Sequence, residues 1–353
     1  MPGRFTLLLL LPLVLALAAC KPDTATTDPA LQSPRALLSA ATEQGLKNVF
    51  ANPSAHALLE SADASALAAA TETDAAAITT PSQWRRLDRE KRFDGVLLAG
   101  PTNEFTLLLH HLLDSPDFRL VRVDNWGVLF TRQRPAPYTP PAVESFEKQF
   151  PDAGIRAQYL SQMALMLDAA QFRPEGSRYL AEAMELAPDS AIVRARAGAL
   201  AFAHGKYGDA LVLSSQALER EPKNAAALEV RARAYDAMGA ATRAWETAEA
   251  LVAAKPDDMA ALFLHARMAN TAHAYQSEQR SLERLIELAG KRGLPTTDYH
   301  VYLGQCFAKQ GLARPALEQL ELAAKDTTLD EARRKDIETA ISTIRSRTGM
   351  TGE

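Results

Sequence analysis

The sequence predicts a mainly α-helical protein, a solenoid of helical hairpins preceded by a small α/β domain. Three observations carry this. Pro188, Pro222 and Pro256 stand 34 residues apart, in the comparable contexts ELAPDS, EREPKN and AAKPDD. The chain is rich in Ala with only 7% aromatic residues, and small apolar residues let helix axes approach closely. Between Phe93 and Arg132, short runs of period two alternate with a run of period 3.6, the pattern of a layered α/β fold.

The 353 residues allow two ordinary domains and a leader. With 47% apolar and 23% charged residues, the balance is that of a folded chain. The net charge is −4, and removal of residues 1–19 takes away one Arg and no acid, leaving −5. No basic stripe is present to neutralise a run of phosphates, so nucleic acid is not an expected partner. Two cysteines, Cys20 and Cys306, allow at most one bridge, so the fold does not depend on disulfides.

The first element is a leader. Arg4 precedes the uncharged run Thr6–Ala19, whose 14 residues would span roughly 21 Å as a helix, short of the ~30 Å of bilayer hydrocarbon. That is the apolar core of a signal peptide rather than a membrane span. It ends in Leu17-Ala18-Ala19-Cys20, which resembles the lipobox of bacterial lipoproteins. The resemblance implies cleavage before Cys20 and acylation of its thiol, with several acyl chains giving stable anchoring. It implies a periplasmic chain held at a bacterial membrane, and Lys21 in place of Asp implies the outer membrane over the inner. An ordinary secretory signal is the alternative.

The expected organisation is a signal peptide over 1–19, a tether over 20–33, and an α/β domain over 34–133. A Pro-rich linker with a lead-in helix follows over 134–152, then repeats over 153–328 and a capping helix over 329–346. Lys21–Ser33 is polar and without periodicity. In the α/β domain, Leu37–Val49 reads as a helix and Ala62–Ala77 as either helix or loop. Phe93–Ala99 reads as a strand and Asn103–Leu113 as a helix. Phe118–Val123 and Gly127–Arg132 read as strands around a turn at Asp124-Asn125. Arg134–Pro141, with four prolines, reads as a stiff domain boundary.

Phe93-Asp94, Val96-Leu97-Leu98, Phe118-Arg119-Leu120-Val121, Asp124, Val128-Leu129-Phe130 and Arg132 together resemble the small soluble domain that follows the membrane region of some bacterial glycosyltransferases. That domain is not the catalytic part of those enzymes, so the resemblance implies fold rather than activity.

From residue 153 the 34-residue period of paired helices resembles the tetratricopeptide repeat. Units beginning at Ala157, Ala191 and Ala225 place small residues at Ala164 and Gly176, at Gly198, Ala210 and Ala217, and at Ala232, Ala244 and Ala248. Each unit is closed by a proline, which cannot continue a helix. A fourth unit begins at Met259 and expands by four residues between Ala272 and Pro295; a fifth runs Tyr299–Asp326. A last helix opens with a capping box at Thr328 and Glu331. It carries Ile337, Ala340, Ile341 and Ile344 on one face and Arg333, Arg334, Lys335 and Glu338 on the wet one, as a solenoid cap requires.

The family likeness implies that the inner groove is lined by Asp168, Phe202, Glu229, Arg233, Asp236, Phe263, Arg267, Asn270 and Gln305. That groove is mixed in charge and carries two exposed aromatics. Arg233 and Arg267 hold equivalent positions in successive units and could jointly grip a carboxylate or an acidic segment; alternatively Glu229 and Arg233 pair with each other at i, i+4. Glu229 stands where the carboxylate-clamp pattern of chaperone-binding repeats needs Lys. The seven histidines form no metal-binding spacing, and no nucleophile elbow or phosphate loop occurs. Cys306 reads as a small buried hydrophobe. No cofactor, metal or catalytic residue is expected. The sequence thus points to a membrane-anchored, non-enzymatic scaffold for another envelope protein or peptide. The alternative is an accessory to cell-wall glycan or polysaccharide-export machinery, its α/β domain binding a sugar or an enzyme.

Overall fold

The computed structural model describes residues 35–52, 54, 55, 59, 81–100, 105–327, 329 and 331–348. The leader, Cys20, the tether, Ala62–Ala77 and Thr328 of the expected capping box lie outside the described residues. The described chain falls into two compact units, one ending at His204 and the other beginning at Gly205.

The first unit begins with α1 (Arg35–Glu43), β1 (Val49–Ala51), α2 (Pro81–Lys91), β2 (Gly95–Ala99), α3 (Thr106–Leu113), β3 (Arg119–Val123) and β4 (Gly127–Thr131). The strands form one sheet in the order β1-β2-β4-β3, with β1 parallel to β2 and the other pairs antiparallel. The expected strand-helix-strand-strand run is present as β2-α3-β3-β4. The helix expected over Leu37–Val49 stops at Glu43. Gly45 takes φ +62, a conformation that ends the helix, and Val49–Ala51 then join the sheet. Neither β1 nor α2 is among the elements expected from the sequence.

The polar residues of the sheet motif shape the backbone. The Asp94 carboxylate accepts the N–H groups of Lys47 at 2.9 Å and Asn48 at 3.0 Å, which steers the chain into β1. Asn52 closes that strand: its side chain donates to the Ala99 carbonyl at 2.8 Å and accepts the Ala99 N–H at 2.9 Å. Arg132 donates to the Phe93 carbonyl at 2.8 Å and to Asp88 at 2.6 Å, with its guanidinium 4.5 Å from the centre of the Phe118 ring. At Gly127 a Cβ would lie 2.1 Å from the Leu98 carbonyl oxygen, so β4 can pass β2 there only as glycine.

Alternation along β2 and β4 sends Leu97 and Leu129 towards α1, with Leu37, Leu46 and Val49. Val96, Leu98, Val128 and Phe130 face the other way, into an aromatic core with Phe50, Trp84 and Phe93. Trp84 stacks on Phe93 at 5.7 Å and meets Phe50 edge-on at 5.1 Å. This core continues into Phe146, Phe150, Tyr159, Leu160 and Tyr179. The Pro-rich segment is strapped across it. Tyr138 donates to the Val123 carbonyl at 3.4 Å, and Tyr179 to the Pro141 carbonyl at 2.7 Å. Within the segment expected to hold a lead-in helix, residues Val143–Phe146 form a single 3-10 turn, confined between Pro141 and Pro151.

The rest of the first unit is α4 (Ala153–Ala169), α5 (Arg173–Leu186) and α6 (Ala191–Ala203). The second unit holds α7 (Tyr207–Arg220), α8 (Ala225–Ala237), α9 (Ala241–Ala254), α10 (Met259–Thr271), α11 (Tyr275–Lys291), α12 (Thr297–Lys309), α13 (Ala313–Ala324) and α14 (Glu331–Thr348). Two local devices repeat with the sequence period. Asp152, Ser190, Asn224 and Asp258 cap α4, α6, α8 and α10, each accepting a backbone N–H from the first turn. The last three follow their repeat's proline by two residues. The chain reverses through left-handed residues at Gln171, Gly205, Gly239 and His273, 34 apart, and at Gly311, 38 further on. The expansion is absorbed by α11, which has 17 residues where α9 has 14, and by the turn at Gly293.

Small residues set the approach of the paired helices. At Gly176 on α5 a Cβ would lie 2.9 Å from the Ala164 carbonyl oxygen of α4. At Gly304 on α12 it would lie 2.8 Å from Leu320 and 3.1 Å from the Ala316 carbonyl of α13. Helix α14 closes the second unit with Ile337 buried among Val301, Leu320 and Ala323. Lys335 and Glu338 are exposed as expected, but Arg333 and Arg334 are not simply wet. Arg333 pairs with Asp298 at 2.7 Å, and Arg334 donates to the Asp326 carbonyl at 3.2 Å, because their long side chains reach back over the preceding pair.

Gly176→Ala is expected to lower stability by about 1–3 kcal/mol, since backbone rather than a flexible side chain opposes the new methyl. Gln171→Gly and His273→Gly are each expected to raise it by about 0.5–1 kcal/mol by relieving a left-handed residue. Denaturant unfolding of the purified chain measures both signs.

Candidate functional site

The residues singled out on the second unit lie on the first helix of each pair. On α8, Glu229, Arg233 and Asp236 share one face at spacings of four and three. Arg233 donates to the Glu229 carboxylate through Nε at 2.9 Å and through its terminal nitrogen at 2.7 Å. Both side chains are largely buried, 13% and 17% exposed. Burial pushes the Glu229 carboxyl above its ordinary pKa, and the Arg233 charge opposes that rise. Arg233 is therefore committed to its own helix and is not a free cation.

On α10 the face carries Phe263, Arg267 and Asn270. The Arg267 guanidinium donates to Asp236 at 3.2 Å and keeps 48% of its side chain exposed. Burial of its inner part lowers its pKa, with Asp236 opposing and the neighbouring Arg233 charge adding to the effect. Phe263, one turn before Arg267, is 38% exposed. Its ring lies 5.8 Å from Tyr302 and 6.3 Å from Tyr299, both half-buried on α12. Gln305, also half-buried, follows Tyr302 on α12. The structure thus pairs Glu229 with Arg233 and Asp236 with Arg267, and sets Phe263 in an aromatic cluster.

Asp168 and Phe202 belong to the first unit. Asp168 accepts a hydrogen bond from His204 Nε2 at 2.8 Å, with Arg173 at 4.0 Å. Phe202 was expected to be an exposed aromatic; it is 8% exposed. A whole ring at the end of a packed helix gains more from being covered than from lining a wet surface, so Phe263 is the exposed one of the pair.

Sequence reasoning missed the polar layer behind this face. Asn270 donates to the Glu278 carboxylate of α11 at 2.6 Å, and the second Glu278 oxygen is buried without a hydrogen-bond partner. His265 is buried, its Nδ1 2.8 Å from Ser281 Oγ, and its Nε2 has no partner. Burial lowers the His265 pKa, with Glu249 opposing and Arg280 adding to the fall. Cys306 is fully buried, as expected, and burial pushes its thiol up to about 12. The signal for this layer was available in part: Ser277, Glu278 and Ser281 are polar at spacings of one and three on a helix whose neighbours demand apolar residues. Tyr299 and Tyr302 lie at i, i+3 on α12, the spacing of side chains that share a face. Among the described residues, no group of three or more His, Cys, Asp and Glu is placed to hold a metal, and no helix is long and apolar enough to cross a membrane.

Residues 201–268 match the family described as "Tetratricopeptide repeat". No curated protein matches the chain. Among solved structures, the chain is similar to YrrB, described as a tetratricopeptide protein with an unusual peptide-binding site. The identity is 15%, over 60% of this chain and 99% of that one, with a TM-score of 0.44. It is similar to PilW, described as a widely conserved type IV pilus biogenesis factor, at 15% identity over 56% and 87%, TM-score 0.43. It is similar to MamA from Desulfovibrio magneticus RS-1 at 20% identity over 49% and 93%, TM-score 0.40. The chain is mainly helical, with tetratricopeptide-type hairpins following a small region built on a four-stranded sheet.

Two outcomes follow from the buried groups. Arg233→Met leaves the Glu229 carboxylate without its partner and is expected to cost about 2–4 kcal/mol, most of it recovered in the double variant with Glu229→Gln. His265 has a folded pKa below its unfolded value of about 6.5, so below that pH the unfolded chain takes up a proton the fold refuses. Its contribution is complete above about pH 6.5 and declines as pH falls towards the folded pKa. Thermal midpoints across pH 5–8 should show this acid-side fall, and His265→Gln should flatten it.

Proposed function

We propose that this chain is a membrane-anchored periplasmic scaffold that holds another protein on its helical repeats, in the assembly of an envelope complex, and that it is not an enzyme. The observation that carries the reading is the α10 face, where a large aromatic side chain, Phe263, stands 38% exposed one turn from a half-exposed arginine. Aromatics and arginine are the residues most often energetic in protein interfaces. The repeat family at 201–268 supports the same use, since paired-helix solenoids present extended surfaces to peptides and proteins. The anchor rests on the lipobox-like Leu17-Ala18-Ala19-Cys20, with Lys21 favouring the outer membrane.

The glycan-accessory reading draws less support. Asp94 and Asp124, the carboxylates of the sheet motif, each accept backbone N–H groups, at 2.9, 3.0 and 2.6 Å. They shape turns rather than converge on a cleft.

Two measurements test the proposal. The wild-type chain should incorporate labelled fatty acid and sediment with membranes, and Cys20→Ala should do neither; membrane association retained by the variant removes the anchor. A photo-crosslinking amino acid placed at Phe263 should capture a discrete envelope protein in cells, while the same probe at Val212, 56% exposed on α7, should not. Absence of any adduct from Phe263, with the variant folded and localised, removes the scaffold reading.

A further inference from the structure

Charge is unevenly distributed over the α10–α12 face. Helix α10 contains no acidic residue, and the one acid of α12, Asp298, is taken by Arg333 at 2.7 Å. The acid behind the face, Glu278, is 4% exposed and bonded to Asn270. What remains outward is cationic. The Arg267 head has five N–H donors and one hydrogen bond, at 3.2 Å to Asp236. Lys309 is exposed on the last turn of α12, four residues beyond Gln305 and so on the same side of that helix. Asn270 and Gln305 supply amides, and Phe263 with Tyr302 supplies an apolar shelf beside them.

We propose that this face takes an acidic segment with apolar anchors, a stretch of extended chain in which one or two carboxylates are flanked by aromatic or leucine side chains. This rests on the reading that the repeats bind a protein, and it names the chemistry of that partner. A carboxylate can engage the donors of Arg267 that Asp236 leaves unused, and Lys309 adds a second attraction. An apolar side chain one or two residues away covers the exposed Phe263 ring. The amides can bond the backbone of the segment between them. A basic segment meets two cations and no free carboxylate on these helices, and is rejected for that reason.

The test uses the full chain in detergent and fluorescence anisotropy with short labelled peptides. One is built of Glu, Asp, Leu and Phe; a second has Lys for each acid; a third has Ser for each apolar residue. A single-stranded oligonucleotide serves as a polyanion without apolar side chains. The first peptide should bind at least about tenfold more tightly than the other three probes, and more weakly as salt rises. Phe263→Ser should weaken it by about tenfold, as should Arg267→Gln combined with Lys309→Gln, with Val212→Ser leaving it unchanged. These residues are outward, and circular dichroism checks that each variant folds. Equal or tighter binding of the Lys peptide overturns the acidic assignment, and if Phe263→Ser abolishes that binding the face itself stands. Equal binding of the oligonucleotide, or indifference to both sets of variants, overturns the proposal. Failure of every peptide to bind overturns it too, and the crosslink from position 263 then decides separately whether this face meets a protein.

Discussion

Close approach of paired helices is the constraint on which the rest of this chain depends. Helix axes pack about 8–10 Å apart depending on the side chains at the contact, and the near end of that range requires one helix to present almost nothing at the crossing. Gly176 against the Ala164 carbonyl and Gly304 against Ala316 are the extreme cases, where even a methyl meets backbone or a packed leucine. Ala183, Ala248 and Ala323, on the second helices of their pairs, are likewise small and buried. Because the crossing must recur in every pair, the small residues recur with the pair, and so do the caps and the left-handed turns that set each pair's length. The proline period is the visible edge of this packing rule.

The same rule decides where chemistry can stand. A helix whose inner side is Ala and Gly contributes little apolar area per residue, so larger side chains near the crossing supply the rest, and Leu262, Leu282, Leu285 and Leu303 gather around Cys306. Polar groups drawn into that layer must find partners. Glu229 with Arg233 and Asn270 with Glu278 are such solutions, each between a residue on the outward face and one beneath or beside it. They fix the face's geometry and remove most of its charge. Arg267 keeps an accessible head because its partner reaches it with one bond rather than two.

The repeats were legible in the sequence because their signals are periodic: the prolines and the capping residues two positions later act within one turn, and the small residues at the crossing recur with the same spacing. The four-residue expansion was legible for the same reason, as a break in register that α11 absorbs. The sheet was only half legible. β2, α3, β3 and β4 announce themselves by alternation, but β1 has three residues and every one is buried, so no period can show. Its place is fixed by the bonds of Asn48 to Asp94 and of Asn52 to Ala99, partners 46 and 47 residues away in the chain. The face failed at Phe202 for a related reason: its repeat position says that the side chain leaves the helix on the groove side, not whether the protein covers it.

The Pro-rich segment shows where local signals and packing part company. Four prolines in eight residues stiffen the backbone and remove donors, which suits a boundary between independent bodies. Stiffness does not require separation, however. The segment's carbonyls remain acceptors, and Pro141 receives the Tyr179 hydroxyl at 2.7 Å. Its one aromatic, Tyr138, packs edge-on against Phe172 at 5.5 Å. An extended strap in which four of eight residues have no N–H group is well suited to lie over apolar surface, because it has few polar groups to bury. The aromatic core therefore runs beneath it without a break, from Trp84 and Phe130 through Phe146 to Tyr159 and Tyr179. The sheet and the first helical pair share one core. The first pair has no earlier repeat to pack against, and the sheet's aromatic face supplies the surface that a preceding hairpin would otherwise have supplied.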